Sequence, residues 1–148
     1  MMLFEVKNRF TGNIQFTAEI EVAEDASVGA DLTGADLTRA VLRQFKADLW
    51  MTLTQNRAEV PALISALRDG KVNGSTYSGV CSCLIGTIAN ARGVAVEDIE
   101  RDASNPAEIW FSPIRPGDTP DKETAGGSHA KIALEWAEEW CALSGVTL

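Results

Sequence analysis

Covalent chemistry in this sequence would have to come from Cys81, Cys83 and His129. The chain holds three cysteines in all and a single histidine. A redox or metal role needs two thiols that reach one ion. Cys81 and Cys83 are two apart, and on the helix that the apolar spacing predicts over 80–92 such positions point about 200° from each other. There is no C-x-x-C spacing and no second imidazole, so neither a metal site nor a cofactor is expected. Cys81 falls on the apolar stripe with Leu84, Ile85, Ile88 and Ala89 and reads as a small core residue, leaving Cys83 on the exposed side. His129 follows Ser128, the expected cap of the last helix, in the turn where the dipole favours a neutral imidazole. A Cys83–His129 dyad needs hydrogen-bond reach and oxyanion donors, which nothing in the sequence supplies. No catalytic residue is therefore assigned, and a Cys/His enzyme is kept only as the lesser alternative.

Residues suited to binding lie in two loops. Lys71–Gly79 carries Lys71, Asn73, Ser75, Thr76 and Tyr77 and runs into the helix expected from 80. Free N–H groups at a helix start attract anions, so a small anion or nucleotide-like ligand is one expectation here. The spacing is not that of a phosphate-binding P-loop. The plainer reading is a hydrogen-bonded connection with Tyr77 lying over the core. Arg115-Pro116-Gly117-Asp118 has the composition of a turn, which an Arg115–Asp118 ion pair would close. Lys71, Asn73, Ser75, Thr76, Tyr77, Arg115 and Asp118 form the candidate binding set. Trp110, Phe111, Trp136 and Trp140 read as core before interface.

The elements that must position these residues follow from periodicity. Ile14, Phe16, Ala18, Ile20 and Val22 alternate with polar neighbours, predicting a β-hairpin over 3–22 with its turn at Phe10–Asn13. Residues 30–40 contain two A-D-L-x-x units, Ala30–Gly34 and Ala35–Arg39. Half a coil of such repeats has no stacked neighbours, so they form a stub or a lead-in to a helix over 39–54. Leu37 is expected to bury against the hairpin and that helix, directly or across a subunit interface. Val60, Leu63, Ile64 and Leu67 mark a helix over 58–69, with Pro61 in its first turn and Gly70 past its end. Residues 108–114 suit a short helix or a strand equally. A helix from Ser128 to about Leu143 closes the chain. The expected architecture is a single α+β domain over 1–148: a hairpin in 1–29, the repeat stub in 30–40, and four to five helices in 41–148.

Composition limits the partners. With 21 acids against 13 bases the net charge is −8, which argues against binding a phosphate backbone. Acid clusters at Glu19/Glu21/Glu24/Asp25, Glu97/Asp98/Glu100 and Glu135/Glu138/Glu139 would imitate a phosphate track if they shared one side, and are solvated faces otherwise. The odd cysteine count and the charges at Glu5, Lys7 and Arg9 predict a cytosolic protein without a secretory signal, and no apolar run suits a membrane.

Three sets of phrases resemble a group of phage and prophage proteins described as pentapeptide-repeat-containing proteins of unknown function. They are Phe4–Gly12 with the A-D-L-x-x units, Asp69–Tyr77, and Cys81–Asn90 with Ile114–Pro120. Members of that group carry a longer repeat tract than this chain. The resemblance implies a phage origin and hence a bacterial host cytoplasm. With the acidic charge, the small size and the lack of a catalytic constellation, it leads to a non-enzymatic protein that binds a host protein or complex, with host-defence inhibition among the expectations. Homo-oligomerisation is left open.

Overall fold

A computed structural model describes residues 2–7, 14–20 and 35–148, with side chains from Leu42 onward. The chain divides into two compact units, Met1–Leu37 and Thr38–Leu148. In the first, β1 (Met2–Lys7) and β2 (Ile14–Ile20) pair antiparallel, Met2 opposite Ile20 and Val6 opposite Phe16, with an irregularity between Val6 and Lys7. The turn at 10–13, the first repeat unit at 30–34 and the acids at 21–25 lie outside the described residues, as does the side chain of Leu37.

The second unit is built from α1 (Ala35–Gln55, whose first turn precedes the unit boundary), α2 (Val60–Arg68), α3 (Leu84–Arg92), α4 (Pro106–Phe111) and α5 (Ala125–Ser144). Short 3-10 turns stand at Arg57–Glu59 and Val96–Asp98. This corrects the α+β assignment. The unit that holds the core is helical, and its described residues contain no strand, only an isolated bridge between Val72 and Ser82. The reason is visible in the period of the apolar residues. Alternation by two occurs only within the first unit and its border, and from Leu42 onward the stripes repeat at helical spacing.

The second repeat unit, Ala35–Arg39, is the opening of α1, which begins four residues before the expected start at 39. Ala, Leu and Arg are strong helix formers, and half a repeat coil offers no competing structure. Farther along, Leu49 and Leu53 turn inward. α2 is the central element. Val60, Leu63, Ile64 and Leu67 are each about fully buried, and α2 packs against both α3 and α5. Ala130, Ala133 and Ala137 give α5 a smooth inner face on which larger side chains settle, and Trp140 and Cys141 extend that face. Trp110 holds the α4 end together, its ring 5.3 Å from Phe45, 5.0 Å from Trp136 and 4.5 Å from His129.

Two helix starts differ from expectation. α3 begins at Leu84, four residues after 80, so Cys81 precedes the helix and Cys83 is its N-cap in extended conformation. The exposures reverse accordingly: Cys83 is buried and Cys81 is half-buried. α5 begins at Ala125, and its cap is Thr124, whose hydroxyl accepts from Gly127 N–H at 2.9 Å, in place of Ser128. Residues 106–111 are helical, which decides the open choice for that segment; Pro106 sits at the first position and Asn105 precedes it. Among the described residues no helix is long and apolar enough to cross a membrane.

Candidate functional site

The two loops expected to bind a ligand hold each other instead. Gly74 N–H donates to Ile114 O at 2.8 Å, and Gly117 N–H donates to Gly70 O at 2.7 Å. Gly74 is pressed so closely on the end of α4 that a Cβ there would lie 1.9 Å from the Phe111 carbonyl oxygen. The polar side chains of 71–79 are turned to their own backbone. Asn73 Oδ1 accepts from Ser75 N–H at 3.1 Å and from Ser75 Oγ at 2.6 Å, while Thr76 Oγ1 contacts Ser78 N and O. Thr76 O accepts Cys83 N–H at 2.8 Å, tying the loop to the start of α3. Tyr77 is half-buried against the core, with the Arg101 guanidinium 5.3 Å from its ring centre. Lys71 stays exposed, 3.4 Å from Asp69.

Arg115 and Asp118 meet differently from the expected ion pair. Asp118 Oδ2 accepts the backbone N–H of Arg115 at 2.9 Å, and its Oδ1 accepts the Thr124 hydroxyl at 2.9 Å. These two donors hold the carboxyl below its ordinary range. The Arg115 guanidinium turns away and donates to Ser112 O and Ile114 O at 2.6 and 3.1 Å. The turn thus serves to anchor α5. Gly126 lets the helix backbone pass against Asp118, where a Cβ would stand 1.9 Å from Oδ2.

A carboxyl group does sit at the N terminus of α3, and the chain itself provides it. Glu108, on α4, is 7% exposed and its Oε1 accepts Ile85 N–H at 3.0 Å. Burial raises its pKa, and the bonds from Ile85 N–H and the Cys83 thiol work in the opposite direction. The same burial, reinforced by the Glu108 charge, pushes the Cys83 thiol up to about 12. Such a thiol is protonated at neutral pH and is a poor nucleophile. His129 lies elsewhere on the helical unit's framework, on α5 against Trp110, with Nδ1 2.7 Å from Ala125 O. Because a carbonyl can only accept, Nδ1 carries a proton in this contact. Among the described residues no hydrogen bond joins His129 to Cys83. The sequence gives Glu108 no distinguishing mark beyond its place in the 108–114 segment. Its partner is 23 positions away in the chain, and no local signal announces it.

Open surface is found beside α1. Asp48, Thr52 and Gln55 of α1 and Asn56 just past its end line one side of a cavity of about 420 Å³, and Ile99, Glu100, Arg101, Asp102 and Asn105 face them, with Ile85 also in the wall. A second hollow of about 410 Å³ is formed by Ala47, Trp50, Thr54 and Trp140. Met51 and Gln55 border both, so the two hollows flank one ridge, and Met51 is 62% exposed on it. The indoles are fixed in place: Trp50 Nε1 donates to Trp136 O at 2.9 Å and Trp140 Nε1 to Thr54 Oγ1 at 3.2 Å.

Among the described residues, ion pairs engage some acids of the helical unit and leave others, those of the first cavity included, without a base. Glu59, Glu138 and Glu139 pair with Arg92, Arg68 and Lys46 at 2.8, 2.7 and 2.6 Å. Glu138 and Glu139 are thus each paired with a base. Asp48, Glu100 and Asp102 have no ion-pair partner among the described residues. Asp48 Oδ2 accepts Ala107 N–H at 2.9 Å at the start of α4, and Asp102 Oδ1 accepts from Ser104. Arg101, which stands between Glu100 and Asp102 in the sequence, has its guanidinium over Tyr77. Among the described residues no group of three or more His, Cys, Asp and Glu side chains is placed to hold a metal ion. No protein-family profile matches the chain, and neither a curated protein nor a solved structure matches it.

Proposed function

We propose that this chain is a phage-encoded, non-enzymatic binding protein that modulates a bacterial host system by occupying a protein surface, a host defence complex being one candidate target. The observation that carries the reading is the ridge of α1, where an exposed methionine stands between an acidic cavity and an indole-lined hollow. A surface that keeps an apolar side chain in water beside a fixed indole and carboxylates without an ion-pair partner among the described residues has the ingredients of a protein contact. The polar groups that could have served a small ligand are bonded within the chain, and the thiol beside Glu108 is protonated. Phage origin rests on the resemblance of the sequence phrases.

The experiment is capture of partners by the tagged full-length chain from bacterial lysate, with chemical cross-linking and size-exclusion chromatography of the recovered complex. A stoichiometric host protein that co-elutes is expected. Recovery of none across gentle salt conditions and several hosts would remove the reading.

A further inference from the structure

The geometry points to a specific occupant for that ridge, and the inference rests on the binding reading above: we propose that residues 47–55 of α1 dock a basic amphipathic helical segment of a partner protein. One Arg or Lys of the segment enters among Asp48, Glu100 and Asp102, and an apolar side chain enters between Trp50 and Trp140.

The stripes of α1 define the footprint. Leu49 and Leu53, with Asn56 just past the helix end, are its buried line, Asp48, Thr52 and Gln55 form the wall of the acidic cavity, and Ala47, Met51 and Thr54 are the outer crest. Two hollows on opposite sides of one helix are separated by about a helix diameter, roughly 10 Å. Side chains seven apart on a partner helix stand about 10.5 Å from each other along its axis, so one helix can reach both. Charge selects the sign. Three carboxylates without an ion-pair partner among the described residues repel a nucleic acid and attract a cation, and the only base in that wall is stacked on Tyr77. The hollow selects a segment that is also apolar, because a purely cationic ligand would leave the exposed Met51 and the half-buried Trp50 uncovered.

The test uses the full chain and a fluorescein-labelled synthetic helix of about 18 residues, with Arg and Leu seven apart on one face. Controls are the same helix with Gln for Arg, a scrambled sequence, spermine and arginine amide. Saturable anisotropy that weakens with salt is expected for the Arg/Leu helix alone. Met51→Glu and Glu100→Gln should each weaken it roughly tenfold, the loss of one anchoring contact. Glu123→Gln, which removes the same charge at a remote place, should leave it unchanged. Equal binding of the scrambled helix, an equal effect of Glu123→Gln, or saturation by spermine or arginine amide at the same affinity would each overturn the proposal. So would self-association of the unlabelled chain that Met51→Glu abolishes, which would make a second copy the occupant. Any host partner recovered by capture is then tested against the Met51→Glu chain. Its retention would overturn this face while leaving the binding reading intact.

Discussion

At the scale of the residue, Glu108 shows how a buried acid can be structural. It replaces water at Ile85 N–H and lies beside a thiol, and the carboxylate is kept from being an isolated buried charge by those donors. Glu108→Ala should therefore cost about 1–3 kcal/mol in urea unfolding, the penalty of leaving a buried N–H without its acceptor. Glu108→Gln keeps an acceptor and should cost less. The pH dependence has a definite sign. Burial raises the folded-state pKa, so the folded protein holds this proton more tightly than the unfolded chain does. Stability from this group is present in acid and declines as pH rises from the unfolded value of about 4.3 through the raised folded value. The stability of Glu108→Gln relative to the parent should accordingly improve across that rise, as read from unfolding midpoints. A constant difference at all pH values would show that Glu108 does not titrate differently on folding. Glu59 runs the other way. Its bond to Arg92 lowers its pKa, so its contribution is present above the unfolded value and lost as pH falls through the folded one.

At the scale of the element, the connection between α2 and α3 works as a strap. Its backbone bonds to Ile114 and Ser82, and the absence of a side chain at Gly74 lets it lie against the end of α4. Gly93 offers a comparison, since it ends α3 with φ +73 and a Cβ there would meet nothing within 4 Å. Gly93→Ala should cost only the left-handed backbone penalty, about 1–2 kcal/mol. Gly74→Ala must push backbone from backbone and should cost more, at the upper end of the roughly 1–3 kcal/mol seen on overfilling a packed site or beyond it. Thermal unfolding of both variants checks the order. A Gly74→Ala protein as stable as Gly93→Ala would mean that the strap detaches freely.

At the scale of the whole molecule, the helical unit carries its own core. Leu49, Leu53, the α2 stripe, Phe111, Ile114 and the inner face of α5 are all within residues 38–148. A fragment of those residues should fold alone, with a cooperative thermal transition and the near-ultraviolet signal of its immobilised tryptophans. A fragment with helical dichroism but no cooperative transition would show that the core depends on the first 37 residues. Charge divides unevenly as well. The first 37 residues hold seven acids and two bases, against fourteen and eleven in the remainder, so most of the net charge lies outside the helical unit.

What sequence alone determined was local in origin. The α2 stripe, its Pro61 start and its Gly70 end could be read because helical period, proline and glycine act within a few residues. The core places of Phe111 and Trp140 followed from the same spacing. The start of α3 was not legible, because every residue from Ser82 to Ala89 is buried and a helix enclosed on all sides has no polar face to set its phase. Its first turn is fixed by a carboxylate that arrives from α4. The α1 ridge was hidden for a related reason: Asp48, Met51 and Gln55 look like ordinary surface residues until Trp140 from α5 and the segment 99–105 build walls on either side. Tertiary structure also decided which acids are neutralised, since Glu138 and Glu139 find bases 70 and 93 positions away. Backbone propensity and apolar period are properties of neighbours in the chain, whereas a cavity and its charge belong to side chains that only folding brings together.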